Sequence, residues 1–438
     1  MTWLRRYRFG LYVRNSLWIL PTLSIIVALV CVAVLTRIEL AVGVPTSVSV
    51  ETARIILSTV AASTFTLVVL VSSAMLLAIQ LASAQLSPRI ISMIYRTSHG
   101  KLAFSVFVFT FTFAVATLVR IEKTVPTVTG YIACYSFLIN IALFIYFVDM
   151  LGKTLRPSAA LRQVGMAGRE VIRSVYPSLR TEDTKLPEPL RIPSHVERRV
   201  IQSAKDGALL AFDMSGLMSK ATKSNCVIEL IPQVGDFIAS GDPLFRIFGK
   251  SDALAGAELC NSAAIGHERT LEQDPMFAFR IIVDIASKAL SPAINDPTTA
   301  VLAIDQIHHL LRDIGKRYLA EGQERDAQGQ LRLLYRTPEW EDFVQLGTTE
   351  IRQYGDESIQ VQRRLRAMLE DLIETLPPHR QAVLQKELAL LGSSSKRAFP
   401  DLADQVLAES GDLQGIGGSD DDDDVYEDNQ AAVARRIS

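Results

Sequence analysis

The stretch IILSTVAASTFTLVVLVSSAMLLAIQLASAQLSP, residues 55–88, contains no charged side chain at any position. About 20 apolar residues suffice for a helix to cross the hydrocarbon layer of a membrane, so this stretch is longer than one crossing requires. Because Pro88 lacks a backbone N–H and obstructs the preceding turn, we expect the helix to leave the membrane and continue until this proline interrupts it. The stretch therefore predicts a membrane-spanning helix and makes the chain an integral membrane protein.

Three further stretches have the length and composition of membrane spans. The predicted four spans cover about 17–36, 55–81, 102–119 and 130–148. The first is too long for a typical signal peptide, and no clear small-residue cleavage site follows it, so we interpret it as a retained span. Residues 1–152 are therefore expected to form a four-span transmembrane domain.

Lys and Arg side chains near the ends of the predicted spans lie mostly on one side of the membrane. Twelve occur before the first span, between the second and third, and after the fourth, against four in the other two connections. Because Lys and Arg are enriched on the cytoplasmic side, this asymmetry predicts a multi-pass protein of a bacterial inner membrane with both termini in the cytoplasm.

Composition argues against several classes of function. The net charge of −2 comes without a block of Lys and Arg, so no nucleic-acid partner is expected. The four cysteines form no C-x-x-C pair, and the six histidines lack the spacing of metal ligands, so no metal site is expected. No nucleophile elbow or dinucleotide fingerprint occurs either. We therefore expect no catalytic residue, no cofactor and no enzyme activity.

The rest of the chain alternates charged and apolar residues, as water-soluble domains do. Residues 153–206 predict a proline-rich linker with one helix, and residues 207–256 predict short strands. Residues 257–410 predict amphipathic helices. Residues 411–438, which contain five consecutive aspartates, predict a disordered acidic tail.

Two Gly-Asp turns six residues apart mark the predicted β region, in Val234-Gly-Asp-Phe-Ile-Ala-Ser-Gly-Asp242. This pattern resembles a hairpin of biotinyl- and lipoyl-type barrel-sandwich domains. The lysine that carries the cofactor in those domains is not evident, so we expect the shape without the swinging arm. The predicted fold class is an α-helical membrane protein of four transmembrane helices. A cytoplasmic α+β domain follows, with a small barrel-sandwich-like β subdomain and then helices.

The densest group of polar and helix-capping residues lies in Gly266-His-Glu-Arg-Thr-Leu-Glu-Gln-Asp-Pro-Met-Phe277 and Leu290-Ser-Pro-Ala-Ile-Asn-Asp-Pro-Thr-Thr-Ala300. Asp296 has the side chain of an N-cap, and Pro297 suits the first position of a helix. The simpler interpretation is a well-capped helix–turn–helix. The alternative is a polar cluster that binds an ion or small ligand, formed by Arg269, Asp274, Asp284, Asn295 and Asp296.

These two stretches, together with Gln80-Leu-Ala-Ser-Ala-Gln-Leu-Ser-Pro-Arg89, resemble the bacterial family of predicted membrane proteins known as domain of unknown function 2254. The similarity covers nearly the whole chain up to about Leu391. The resemblance implies a membrane protein and no settled activity.

Polar residues recur at seven-residue intervals along the second span, and we name them the polar stripe: Thr59, Thr66, Ser73, Gln80 and Ser87. Sevenfold spacing keeps them on one slowly drifting face of the helix. Because polar groups gain nothing from contact with acyl chains, we do not expect this face to meet lipid. The stripe is either a packing seam, inside one subunit or between subunits, or the lining of a water-filled path.

Two functions fit these features. The first is a homo-oligomeric channel or transport-related protein, whose second helix lines the symmetry axis and whose cytoplasmic domain regulates it. The second is a membrane-anchored scaffold or signalling module that binds a cytoplasmic partner. The expected partners are the lipid bilayer, further copies of the chain, and an unidentified ion or small ligand.

Overall fold

The structure is a computed structural model that describes residues 2–43, 49–90, 98–121, 127–180, 198–249, 254–319 and 322–417. It divides into two compact units. We name residues 9–159 the membrane unit and residues 1–8 with 160–438 the α/β unit.

The membrane unit is helical through most of its described residues. Its helices are α1 (Trp3–Asn15, which starts in the α/β unit), α2 (Ile19–Val42), α3 (Val50–Gln85), α4 (Ser98–Val119) and α5 (Thr127–Thr154). Among the described helices, α2 to α5 are long and apolar enough to cross a membrane. The prediction of four membrane-spanning helices is confirmed at this level of length and composition.

Helix α3 extends well beyond the uncharged stretch that predicted it. It begins at Val50 because the Ser49 hydroxyl accepts a hydrogen bond from the backbone N–H of Thr52, at 3.1 Å, as an N-cap does. It ends at Gln85, just before a short 3₁₀ helix at Pro88–Ile90. At 1.5 Å per residue the helix is about 54 Å long, against about 30 Å of hydrocarbon.

Two apolar clusters hold the four long helices together. The first joins α2 to α5 through Val32, Leu57, Phe113 and Ala133, and the second joins α3 to α5 through Val71, Phe107 and Phe147. A polar pair also lies inside the bundle, where Thr110 Oγ1 of α4 is 3.4 Å from the carboxamide oxygen of the fully buried Asn140 of α5. Polar side chains in membrane helices are expected to face one another in this way.

The described strands of the α/β unit form two sheets. The strands are β1 (Arg198–Gln202), β2 (Gly207–Phe212), β3 (Val227–Leu230), β4 (Phe237–Ile238), β5 (Pro243–Phe248), β6 (Ala263–Gly266), β7 (Gln323–Arg325) and β8 (Leu331–Tyr335). One sheet has the order β1-β5-β3-β8-β7, and the other has the order β4-β2-β6. Leu209 of the small sheet and Ile228, Phe245 and Leu333 of the large sheet are buried in one shared core.

The large sheet recruits strands from outside the predicted range of 207–256. Strand β1 precedes this range, and β7 and β8 follow it by many residues. Strand β8 pairs parallel to β3, with Ile228 opposite Leu333, whereas the other strand pairs are antiparallel. The predicted subdomain boundary therefore cuts through a sheet, because long-range pairing leaves no local sequence pattern.

The helices of the α/β unit are α6 (Pro157–Val175), α7 (Met214–Lys223), α8 (Gly256–Cys260), α9 (Pro275–Ala289), α10 (Pro297–Gly315), α11 (Trp340–Tyr354), α12 (Ile359–Thr375), α13 (Pro378–Ala398) and α14 (Leu402–Ala408). Helix α9 is buried on almost every side, and Phe279 within it stacks against Phe343 of α11 with ring centroids 5.4 Å apart. The core of the helical part therefore forms around α9.

The C-terminal segment packs further than the sequence predicts. The Asp412 side chain is buried, and its carboxylate accepts hydrogen bonds from the backbone N–H groups of Gly415 and Gly417, at 2.8 and 2.7 Å. Its own N–H donates to the carbonyl of Arg363 in α12, at 3.2 Å. The predicted tail at 411–438 is therefore wrong for residues 411–417, and residues 418–438 lie outside the described part of the chain.

Candidate functional sites

The polar stripe lies mostly on the surface of the membrane unit. Thr59, Thr66, Ser73 and Gln80 are exposed, whereas Ser87, which follows the end of α3, is buried. The structure therefore places the first four residues on one open face of α3 and removes the fifth from it. We refer to these four residues as the exposed stripe.

Helix α3 packs into its own bundle through the opposite face. A second series at seven-residue intervals is buried there: Leu57, Thr64, Val71 and Ala78. Each member precedes a residue of the exposed stripe by two positions, which corresponds to a rotation of about 200° at about 100° per residue. The exposed stripe is therefore not a packing seam within one chain.

The members of the exposed stripe differ in how well lipid would tolerate them. Thr59 Oγ1 donates to the carbonyl of Ile55 at 2.8 Å, and Thr66 Oγ1 donates to that of Ala62 at 3.0 Å. Such bonds to the preceding turn satisfy a hydroxyl inside its own helix. Gln80 carries a carboxamide with two donors and an acceptor, so contact with acyl chains would cost it more free energy than it would cost a hydroxyl.

The first half of the predicted polar cluster caps the N-terminus of α9. Asp274 Oδ1 accepts a hydrogen bond from the N–H of Phe277 at 3.1 Å, and Oδ2 accepts from Nε and Nη2 of Arg269 at 2.8 and 2.7 Å. The Asp274 side chain is 3% exposed. Burial raises the pKa of this carboxyl, and the Arg269 guanidinium opposes that shift.

The second half of the cluster belongs to the far end of α9 and the start of α10. Asp296 accepts a hydrogen bond from the N–H of Thr299 at 3.0 Å and is the N-cap of α10, as its sequence context predicts. Asn295 has a φ of 50°, a left-handed conformation that asparagine tolerates better than most residues. Asp284 forms an ion pair with Arg280 at 2.6 Å, and Arg280 also binds Glu350 of α11 at 2.5 and 2.7 Å.

The structure does not bring the five predicted residues together. Arg269 and Asp274 lie at the N-terminus of α9, whereas the backbone N–H of Asp296 bonds to Ala289, the last residue of that helix. A helix of 15 residues separates its two ends by about 22 Å. The polar residues therefore cap and stabilise a helix–turn–helix. The alternative of one polar cluster is wrong, because the two ends of α9 are too far apart for the five residues to meet.

The first Gly-Asp turn packs directly against the Arg269–Asp274 pair. Gly235 has a φ of +96°, and a Cβ placed on it would lie 2.1 Å from Nη2 of Arg269 and 2.9 Å from Oδ2 of Asp274. Only glycine fits both the backbone conformation and the space. Two motifs that are 30 or more residues apart in sequence thus form one structural contact.

The family model described as "Predicted membrane protein (DUF2254)" matches residues 14–371. The chain belongs to this family. Uncharacterised proteins of Mycobacterium bovis and Mycobacterium tuberculosis are each 26% identical to it over 416 residues, which covers 90% of this chain and 79% of the relative. No solved structure matches the chain. The family predicted from the three sequence motifs is confirmed.

The sequence did not reveal a polar network between α10 and α12 of this DUF2254 protein. Arg364 Nε binds Asp305 Oδ1 at 2.8 Å and Arg364 Nη2 lies 3.3 Å from His308 Nδ1, while His308 Nε2 lies 2.7 Å from Asp371 Oδ2. Because a guanidinium only donates, His308 accepts through Nδ1 and donates through Nε2, which defines its neutral tautomer. Burial lowers the pKa of His308, and the hydrogen bond to Asp371 opposes this. The sequence shows Asp305 and His308 three residues apart on one helix face, but not which helix faces them.

Other chemistry is limited in the described part of the DUF2254 chain. Among the described residues, no group of three or more His, Cys, Asp or Glu side chains is placed to hold a metal ion. Cys31, Cys134, Cys226 and Cys260 are free thiols. The residues that cap α9 and α10 and the network around His308 therefore offer hydrogen bonding and ion pairing. The exposed stripe offers a polar surface at membrane depth.

Proposed function

We propose that this DUF2254 protein is a homo-oligomeric channel or transport-related protein of the bacterial inner membrane, in which α3 of every copy faces a shared axis. The exposed stripe is the observation that carries this proposal. Its residues lie on the outer surface of a single chain, on the face of α3 that does not pack into the bundle. A polar surface at membrane depth is expected to face water or another protein surface rather than lipid.

The length of the exposed stripe supports a path across the whole membrane. From Thr59 to Gln80 the helix rises by about 32 Å, which equals the thickness of the hydrocarbon layer. In a ring of identical copies, each residue of the stripe would become a polar ring around the axis. Four such rings would follow one another from one membrane surface to the other.

Leucines alternate with the polar residues on the same face. Leu70 and Leu77 are exposed and lie four residues after Thr66 and Ser73, so they project close to the stripe. Rings of apolar side chains close pores by excluding water. The proposed path would therefore be gated at Leu70 and Leu77, and Leu77→Ser is expected to raise ion flux through reconstituted vesicles.

The charge distribution supports the proposed orientation. Twelve Lys and Arg residues against four favour a cytoplasmic location for both termini. Residues 160–438 of the α/β unit follow the fourth span, so the same rule favours a cytoplasmic location for this unit, from which it would regulate the path. Cysteines introduced at Thr46 and Thr127 test this orientation, because labelling of both only from the cytoplasmic side would contradict it.

The proposal is tested by the accessibility of cysteines along α3. Ser73→Cys and Gln80→Cys, in a chain whose four native cysteines are replaced, are treated with a water-soluble methanethiosulfonate in reconstituted vesicles. Leu81→Cys is the matched control, since Leu81 is exposed on the same helix but lies about 80° around it from Ser73 and about 100° from Gln80. We expect Ser73→Cys and Gln80→Cys to react and Leu81→Cys to remain unreactive. If both stripe cysteines stay unreactive in folded protein, the water path is wrong.

The alternative function is a membrane-anchored scaffold or signalling module with a cytoplasmic partner. The bonds of Thr59 and Thr66 to their own helix favour it, because satisfied hydroxyls need no water and suit a close seam between two helices. In that case Ser73→Cys would cross-link between copies and resist the water-soluble reagent. A monomer in mild detergent would contradict both the pore and the seam between copies.

A further inference from the structure

The α/β unit contains a hollow of about 490 Å³ between the end of α6, the start of α9 and strand β8. Four aromatic side chains line it, and we name it the aromatic hollow: Tyr176, Phe212, Tyr318 and Tyr335. Pockets for small molecules usually measure about 300–1,000 Å³ and combine apolar walls with a few convergent polar groups. The aromatic hollow has this size and composition.

One residue that lines the aromatic hollow, Tyr176, has a buried hydroxyl without a partner among the described residues. Tyr176 is 2% exposed, and its hydroxyl has no hydrogen-bond partner among the described residues. Burial and the nearby Asp274 carboxylate raise the pKa of Tyr176, so the phenol keeps its proton. A protonated, buried and unpaired hydroxyl is a hydrogen-bond donor whose partner is missing.

An acceptor lies in the same wall. Tyr335 donates its hydroxyl hydrogen to Glu324 Oε1 at 3.1 Å, and both residues line the hollow. Burial and this carboxylate raise the pKa of Tyr335. Tyr176, with its unpaired donor, and Glu324, with its acceptor, thus both line the hollow, together with its aromatic residues.

A second hollow of about 670 Å³ adjoins the first, and three arginines and three acidic residues line it. The two share Gln233, Tyr318 and residues 335–338, which include Arg336, and the second adds Arg180 and Arg380. We name it the basic hollow. Its acidic residues Glu339 and Asp342 already form the capping box of α11, and Glu341 also lines the hollow.

Arg380 is the buried cation of the basic hollow. It is 8% exposed, its guanidinium lies 5.3 Å from the centre of the Trp340 ring, and its Nε has no hydrogen-bond partner among the described residues. Burial lowers the pKa of Arg380 to about 10; the charge of Arg180 contributes to this, and that of Glu341 opposes it. A bound anion would relieve the repulsion between the two guanidinium groups.

We propose that the two hollows form one binding site for a purine mononucleotide, with the base in the aromatic hollow and the phosphate in the basic hollow. A purine offers a planar ring for the aromatic wall, a donor edge for Glu324 and a ring-nitrogen acceptor for the Tyr176 hydroxyl. Its phosphate suits guanidinium groups, which bind such oxygens in pairs. This proposal concerns the α/β unit alone and does not depend on a path along α3.

The test uses the full-length protein in nanodiscs and isothermal titration calorimetry with AMP and GMP. Adenosine and inorganic phosphate are titrated separately to distinguish the base from the anion. We expect at least one nucleotide to bind more tightly than its parts. If neither AMP nor GMP binds at millimolar concentration, or if phosphate alone binds as tightly as both nucleotides, the proposal is wrong.

Three variants separate the two halves of the site. Tyr176→Phe removes only the hydroxyl and is expected to weaken nucleotide and adenosine binding by about tenfold, the value of one good hydrogen bond. Arg180→Gln is expected to weaken nucleotide binding while leaving adenosine binding unchanged. Arg325→Gln is the matched control, because Arg325 is exposed and lines neither hollow. Equal affinities for Tyr176→Phe, Arg180→Gln and the unmodified protein would overturn the proposal, provided that all melt at similar temperatures.

Discussion

Helices α3 and α9 are both capped by a side chain at their first turn, but the chain buries them to different extents. Ten of the fifteen residues of α9 are buried by the chain itself. Only eight of the thirty-six residues of α3 are buried, all on one side. The environment of α9 is therefore specified within one polypeptide, whereas that of α3 has to be completed by lipid, water or another copy.

The test with the largest expected effect on stability compares one phenylalanine from each helix. Phe279 of α9 is fully buried, and Phe65 of α3 is exposed in the single chain. Phe279→Ala is expected to destabilise the α/β unit by about 3–5 kcal/mol, because a cavity remains where the ring was. Phe65→Ala leaves no internal cavity and is expected to change stability by less than about 1 kcal/mol. Thermal unfolding in detergent measures both, and equal losses would show that α3 is as enclosed as α9.

The next test concerns the contact that fixes the start of α9. Gly235→Ala strains a left-handed backbone and displaces Arg269 from the buried Asp274, so we expect a loss of roughly 3 kcal/mol. Gly241 in the second Gly-Asp turn has a similar φ of +95° but open space around its Cβ position. Gly241→Ala should therefore cost only the backbone strain, about 1 kcal/mol. Equal melting temperatures for the two variants would mean that the Arg269–Asp274 pair adds nothing.

A smaller effect is expected at Gln80, on the open face of α3. If copies of the chain meet there, Gln80→Leu removes hydrogen bonds between copies and should weaken association by about 1 kcal/mol, roughly fivefold. Leu81→Ala is the control, because Leu81 is exposed but lies about 100° around the helix from Gln80. Energy transfer between labelled copies in vesicles measures association at several protein-to-lipid ratios. An unchanged dissociation constant for Gln80→Leu would remove Gln80 from the interface.

Local patterns predicted the parts of the molecule that depend on neighbouring residues. The uncharged stretch at 55–88 predicted a long helix, and Asp296-Pro297 predicted the start of α10. The helix begins five residues before the predicted span at 55–81, because the span counts uncharged residues whereas the helix starts at the cap provided by Ser49. Arg54 is accommodated within α3 by donating to the carbonyl of Ile121, at 2.9 Å.

Features that depend on distant residues were not predictable in the same way. The parallel pairing of β3 with β8 joins segments about a hundred residues apart, and neither segment shows which partner it has. The aromatic hollow likewise needs Tyr176, Phe212 and Tyr335 from three separate segments. Asp412 looked like part of a polar tail because its burial depends on Arg363 and on a turn closed by two glycines.

The smallest expected effect is a pH dependence of the free energy of unfolding of the α/β unit. The fold holds His308 neutral between Arg364 and Asp371, and burial lowers the pKa of His308 below its ordinary value of 6.5. The unfolded chain therefore takes up this proton first as the pH falls through 6.5.

The stabilising contribution of His308 to the free energy of unfolding is fully present above pH 6.5. It declines as the pH falls further and stops changing below the lowered pKa of the folded state. Replacement by glutamine should flatten this part of the profile of unfolding free energy against pH, measured by denaturant titration between pH 5 and 8. His309 is the matched control, since it is the next residue of the same helix and is exposed. A profile that changes equally for His308→Gln and His309→Gln would mean that the buried network does not hold His308 neutral.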